Sequence, residues 1–247
     1  MPLQKQNIYR NEWKYLISPW EADHLQKRLS AFMQLDPNVQ DGSYMIRSLY
    51  FDDYWDSAYN EKLMGVESRQ KWRVRIYNCS DRSIRLERKL KEGNYICKEA
   101  AVLTRQGFEQ ILNGDYGFLL RDPQQLCREF YVDLMTKVLR PKVIVDYDRV
   151  PYVYDAGTVR ITFDYDVRAA IGSFDIFDAD LPALSALEEN QLVLEVKYTE
   201  LLPAMIKEIL PLNGQEFTAV SKYTLCYERA RHLTDPLADS VIDKRRK

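Results

Sequence analysis

The sequence predicts an α+β fold built on antiparallel strands, with helices packed over the outer face of the sheet. Three observations carry this: segments of alternating side-chain type recur along the chain, helix starts show recognisable caps, and no composition break or Gly/Ser-rich linker divides the 247 residues. Hydrophobic residues at 46% and charged residues at 29% exclude disordered and low-complexity classes, and a chain of this length buries a large core without disulfides. One domain over residues 1–233, followed by a polar, frayed tail at 234–247, is the economical division.

Taken in order, Tyr9 to Ile17 alternates as a strand, and Ser18-Pro19-Trp20-Glu21 is a capping box that opens a helix to about Met33. A strand over Tyr44 to Asp52 precedes a short helix over Tyr54 to Leu63. Ser68 to Tyr77, Arg82 to Lys89 and Asn94 to Ala101 then read as strands, with turns at Asp81-Arg82 and Glu92-Gly93-Asn94. Helices follow from Thr104 to Leu112 and from Asp122 to Val138, and Pro141 forces the chain out of helix. Lys142 to Arg149, Thr158 to Arg168 and Gln191 to Tyr198 are the remaining strands, and Leu201 to Leu210 and Thr218 to Arg231 the remaining helices.

Composition narrows the chemistry. His24 and His232 are the only histidines, so a His-based metal triad and a Ser-His-Asp triad are excluded. Cys79, Cys97, Cys127 and Cys226 form no CxxC pair and are expected reduced and packed. Catalysis must run on carboxylates, Lys, Arg and metal. The net charge of -2 predicts no nucleic-acid partner. No apolar run approaches the roughly 18 residues of a membrane span, and Met1 to Arg10 lacks the apolar core of a signal peptide, so the expected compartment is cytoplasmic.

The strand faces point to a polyanion. In Thr158 to Arg168, alternation puts Arg160, Thr162, Asp164, Asp166 and Arg168 on one side and Val159, Ile161, Phe163, Tyr165 and Val167 on the other. The same split sets Lys71, Arg73 and Arg75 against Trp72, Val74 and Ile76. It also sets Arg85, Glu87 and Lys89 against Ile84 and Leu86, and Glu195 with Lys197 against Leu194 and Val196. A solvated sheet face mixes Ser, Thr, Lys and Glu, whereas these faces gather long cations around a few carboxylates. If the sheet closes into a barrel, the cations share a lumen that demands an anionic guest. A phosphate chain with a divalent metal suits it, since Arg and Lys neutralise phosphate oxygens and carboxylates hold a hard cation.

These segments resemble a known family. NEWKYLI at Asn11 to Ile17, SLYFD at Ser48 to Asp52, KWRVRIY at Lys71 to Tyr77, LERK at Leu86 to Lys89, DYDRVPY at Asp146 to Tyr152, VRITFD at Val159 to Asp164, LEVKY at Leu194 to Tyr198 and SKY at Ser221 to Tyr223 are similar, in order, to the catalytic domain of the vacuolar transporter chaperone family. That family is the polyphosphate polymerase branch of the triphosphate tunnel metalloenzymes. The resemblance implies a closed antiparallel barrel of about eight strands. It also implies transfer of the γ-phosphate of ATP to a growing polyphosphate chain with Mn²⁺ or Mg²⁺. Carried over by motif, Lys14, Arg73, Arg75, Lys89, Arg149, Arg160 and Lys222 act on phosphate. Lys98, Ser221, Arg10 and Lys197 bind substrate, and Glu195 holds the metal, with Glu87 and Glu12 as further ligands and Asp164 as a metal or orienting group.

The sequence departs from the family pattern twice. Hydrolytic relatives open with ExExK, and here Arg10 replaces the first carboxylate before Glu12 and Lys14; Ala219 stands where membrane-working members carry a basic residue. The SPX domain and membrane helices of eukaryotic relatives are not in this sequence, so a polymerase acting alone and one beside a separate membrane partner are both expected arrangements. A hydrolase of tripolyphosphate or nucleoside triphosphates, and a polyphosphate-binding module without turnover, remain as alternative functions.

Overall fold

The computed structural model describes residues 11–39, 41–93, 95–155, 158–199, 201–210 and 220–234. Along the chain lie β1 (Asn11–Ile17), α1 (Pro19–Leu29), β2 (Gln34–Leu35), β3 (Tyr44–Asp52), α2 (Ser57–Leu63), β4 (Ser68–Tyr77), β5 (Ser80–Glu92) and β6 (Tyr95–Leu103). They are followed by α3 (Arg105–Leu112), α4 (Gly117–Arg121), α5 (Gln125–Thr136), β7 (Arg140–Tyr154), β8 (Val159–Ala170), β9 (Ala183–Ser185), β10 (Leu192–Tyr198), α6 (Ala204–Ile209) and α7 (Lys222–Thr234). The expected tail lies outside the described residues apart from Thr234.

Local chemistry explains most boundaries. Ser18 and Glu21 form the predicted capping box at α1, with Pro19 in its first turn, and Thr104 caps α3 by accepting from the Gly107 amide at 3.0 Å. The turn between β4 and β5 sits at Asn78-Cys79, both in the left-handed region, and not at Asp81-Arg82. Asn78 fixes it by accepting from the Met45 amide at 2.8 Å. β7 runs to Tyr154, well past Arg149, because β8 pairs with it along that whole extension.

The strands form one antiparallel sheet in the order β1-β10-β8-β7-β3-β4-β5-β6, with β2 on β7 and β9 on β8. The expectation of a closed barrel is corrected here: among the described residues no backbone ladder joins β1 to β6. The free edge of β6 is occupied by a side chain, since the Gln124 amide accepts from Val102 N and donates to Val102 O, each at 2.8 Å, and so takes the place of a strand. The curl is nevertheless strong enough for side chains to bridge the sheet. Lys89 of β5 reaches Glu12 of β1 at 2.9 Å.

Two apolar layers cover the convex face. Leu49, Trp72, Val74 and Leu86 pack against Phe108, Leu119 and Phe130 of α3, α4 and α5. Tyr15, Ile161, Phe163 and Leu194 pack against Leu25 and Leu29 of α1 and Ile206 of α6. A second correction concerns α7, which is not on the outer face: Tyr223, Cys226, Tyr227 and Ala230 pack inside the trough on Ile46, Val143, Val145 and Val193. Tyr223 donates to buried Asp52 and Tyr227 to Asp56, both at 2.6 Å, which locks the helix there.

The alternation expected for Thr158 to Arg168 also breaks. Asp166 adopts φ 47°, and the β7–β8 register shifts between Asp146 and Asp148. Beyond this bulge the faces exchange. Val167 and Ala169 join the inner apolar cluster, and Arg168 turns outward to Asp148 and Asp166. On the same convex side Arg47 and Asp146 form a buried ion pair at 2.8 Å, and Arg47 also donates to the carbonyls of Ile176 and Asp178, tying down the segment after β8.

Candidate functional site

Strand pairing puts the trough's polar residues on facing rungs. Lys14 lies opposite Glu195, Glu12 opposite Lys197, Arg149 opposite Asp164, Arg73 opposite Glu87, and Lys89 opposite both Lys71 and Lys98. Because directly opposite residues share a sheet face, one regular ladder gathers residues that are far apart in sequence.

Glu195 is the hub of one half. Its carboxylate meets Lys197 at 2.6 Å, Lys222 at 2.7 Å, Arg149 at 3.4 Å and Lys14 at 3.5 Å. Burial opposes its ionisation, but Lys197, Lys222, Lys14 and Arg149 outweigh burial and hold it well below the usual carboxylate range. Asp164 takes two hydrogen bonds from Arg149, at 2.6 and 2.7 Å, and meets Lys222 at 2.5 Å. It therefore orients cations. Lys222 comes from the first turn of α7, so the plugging helix delivers a cation to the centre of the trough.

Glu12 joins the two ends of the sheet, with Lys14 at 3.0 Å and Lys89 at 2.9 Å. Glu87 is enclosed by Arg73 at 2.6 Å, Lys98 at 2.5 Å and Arg75 at 3.9 Å. Against the opposing effect of burial, these cations keep its carboxyl far below the usual range. Burial, with Arg75 and Arg73 adding to it, pushes Lys98 down to about 7 although Glu87 pulls the other way.

Neutral acceptors hold the guanidinium groups. Tyr50 accepts from Arg73 at 2.8 Å, Ser48 from Arg75 at 3.1 Å, and Tyr147 from Arg75 at 3.1 Å. Arg160 lies apart, paired with Asp36 at 2.8 Å and bonded to the Tyr44 hydroxyl at 3.0 Å. Arg10 and Ala219 lie outside the described residues.

Lys71, which its strand places on the ionic face, is a trough cation without an acid partner among the described residues. Its Nζ donates to Ser221 Oγ at 3.3 Å and sits 4.5 Å from the centre of the Tyr223 ring. Among the described residues no carboxylate pairs with it. Burial first, then Lys89, Lys14, Lys62 and Arg69, push its ammonium well below the usual lysine value. Parity alone places Tyr50 and Tyr147 on the inner face too, but nothing in the sequence marks them as arginine acceptors.

No group of three or more His, Cys, Asp or Glu side chains gathers at a metal-sized point among the described residues. Glu12 and Glu195, however, both reach Lys14 Nζ within 3.5 Å. Two neighbouring carboxylates fit Mg²⁺ or Mn²⁺ when substrate phosphates and water supply the other oxygens. Glu87, wrapped by three cations, fits less well.

The chain is distantly similar to solved structures. A candidate adenylate cyclase from Bacillus halodurans aligns at 13% identity and TM-score 0.49, covering 78% of this chain and 81% of that one. A protein from Pyrococcus horikoshii OT3 aligns at 12% identity and TM-score 0.47, covering 90% and 99%. A candidate adenylate cyclase from Vibrio parahaemolyticus aligns at 10% identity and TM-score 0.46, covering 82% and 83%. No curated protein sequence matches. Residues 9–231, nearly the whole chain, match the family model described as the VTC domain, and this chain belongs to the VTC domain family.

Proposed function

We propose that this protein is a polyphosphate polymerase that transfers the γ-phosphate of ATP to a growing phosphate chain in the trough. The carrying observation is an inner face on which Lys14, Lys71, Arg73, Arg75, Lys89, Arg149, Lys197 and Lys222 gather around Glu12, Glu87, Asp164 and Glu195. Packing like charges together is unfavourable, and a phosphate chain is the guest that relieves it.

In this reading Arg73, Arg75 and Lys71 bind one stretch of the chain, and Lys14, Arg149 and Lys222 neutralise charge on the group in transfer. Phosphoryl transfer is catalysed by positioning and charge stabilisation more than by covalent chemistry, which suits a trough whose cysteine, Cys226, is buried with its thiol pushed up by that burial. Glu195, with Glu12, would hold Mn²⁺ or Mg²⁺; the bound metal would neutralise and align phosphate oxygens. Asp164 and Glu87 keep Arg149 and Arg73 pointed at the substrate path, and Ser221 donates to a phosphate oxygen beside Lys222.

Polymerase is favoured over hydrolase by Arg10, which puts a cation where hydrolytic relatives carry a carboxylate, so that activation of water is weakened and affinity for an incoming chain raised. Purified protein incubated with ATP and Mn²⁺, read by a polyphosphate gel beside a free-phosphate assay, tests this. Expected are ADP and polymer with little orthophosphate, and a shift toward orthophosphate in Arg10→Glu. Orthophosphate as the main product of the wild type, with no polymer on the gel, makes the protein a triphosphatase instead.

A further inference from the structure

The inner face of the β4–β5 hairpin continues beyond the residues given a role above. Its rungs run Arg75↔Arg85, Arg73↔Glu87, Lys71↔Lys89 and Arg69↔Lys91, and every rung except Arg73↔Glu87 sets a cation opposite a cation. Like charges directly opposite destabilise an antiparallel pair, and conflicts of this kind persist where function needs them. Lys62 lies in the last turn of α2, the helix that packs against β4. Burial, then Arg69, Lys14, Lys91 and Lys89, hold its ammonium below the usual value; burial and Arg69 do the same to Lys91. Among the described residues none of Lys62, Arg69 and Lys91 forms an ion pair with a carboxylate. Glu61 acts on Arg69, and Glu12 on Lys91, only from beyond ion-pair range, and the Ser68↔Glu92 rung belongs to the other face.

The two mouths of the trough differ in this respect. Arg69 lies past the Asp52 end of β3, since Phe51 is opposite Trp72. At the other end Arg160, bonded to Tyr44, is already neutralised by Asp36, and Arg85 is exposed to water, whereas Lys62, Arg69 and Lys91 are partly buried. We infer that Lys62, Arg69 and Lys91 form an anion track at the α2-side mouth, which binds the part of a phosphate chain that extends out of the trough. The inference rests on the trough binding phosphate chains, and it adds the direction in which a long chain leaves.

Binding of tripolyphosphate and of long-chain polyphosphate to the full chain is compared by calorimetry over a salt series. Wild type is expected to prefer the long chain, with the steeper salt dependence. Lys62→Gln/Arg69→Gln/Lys91→Gln should lose roughly tenfold in long-chain affinity and part of the salt slope, while tripolyphosphate binding and thermal midpoint hold. Arg85→Gln, an exposed cation at the opposite mouth, should keep the long-chain preference. An unchanged preference in the triple variant, or its loss in Arg85→Gln instead, overturns the track and leaves the trough reading intact. A wild type that binds neither chain overturns both.

Discussion

The two halves of the trough are built on opposite electrostatic plans. On β7, β8, β10 and α7, Arg149, Lys222 and Lys197 are tied to Asp164 and Glu195 by contacts of 2.5 to 3.4 Å. On β4 and β5, Glu87 holds Arg73 and Arg75, but past that rung Lys71 faces Lys89, whose acid is Glu12 of the distant β1, and Arg69 faces Lys91. The first half is finished in the absence of ligand: its cations are oriented by buried acids whose loss leaves unpaired charge. In the second half, the rungs past Arg73↔Glu87 leave Lys71, Arg69 and Lys91 for an anion to neutralise. Under the proposed function, this division separates preorganised charge for the group in transfer from uncompensated charge for the bound chain.

Glu195 gives the largest expected effect on this contrast. Glu195→Gln preserves shape but removes the anion shared by Lys14, Arg149, Lys197 and Lys222. Polymer formation should fall on the order of a hundredfold or more, and excess Mn²⁺ should not restore it. Activity that survives in this variant would move the metal to another carboxylate.

Stability should separate the halves next. Arg149→Met takes both guanidinium hydrogen bonds from buried Asp164 and leaves it Lys222 alone; breaking such a pair costs up to about 3–5 kcal/mol, or a thermal midpoint up to roughly ten degrees lower in a protein of this size. Lys71→Met removes an ammonium without a counter-ion, so its ligand-free midpoint should hold or rise while the protection conferred by tripolyphosphate shrinks. Equal destabilisation by both substitutions would erase the distinction between the halves.

A smaller effect is expected from pH. Lys98, depressed to about 7, loses charge in the folded protein as pH rises through that value. From there to the usual lysine range the unfolded chain binds more protons than the folded one, so this group makes ligand-free stability rise with pH. Its contribution to anion binding moves the other way. Tripolyphosphate affinity of wild type relative to Lys98→Met should fall about threefold or less between roughly pH 6 and 8, since the side chain is 44% exposed and water screens it. A constant ratio would show that Lys98 keeps its proton throughout. Smallest of all, Arg160→Gln should change polymer formation by less than about twofold, because Asp36 already neutralises that guanidinium at the rim.

The sequence by itself determined the α+β class, the capped starts of α1 and α3, and the parity that puts Lys14, Arg73, Arg75, Glu87, Lys89 and Glu195 on one face. These are local matters: a strand's period of two and a helix cap are written within a few residues. Tertiary structure alone decided the rest. The bulge at Asp166 exchanged Arg168 for Val167 on the inner face because register with β7 overrode alternation. The amide of Gln124 occupied the edge that would have closed a barrel, and α7 entered the trough because Asp52 and Asp56 hold Tyr223 and Tyr227 there. Which cation has an acid beside it, as Arg149 has and Lys71 has not, depends on strands far apart in the chain that meet only through the curl of the sheet, and no local pattern encodes that distance.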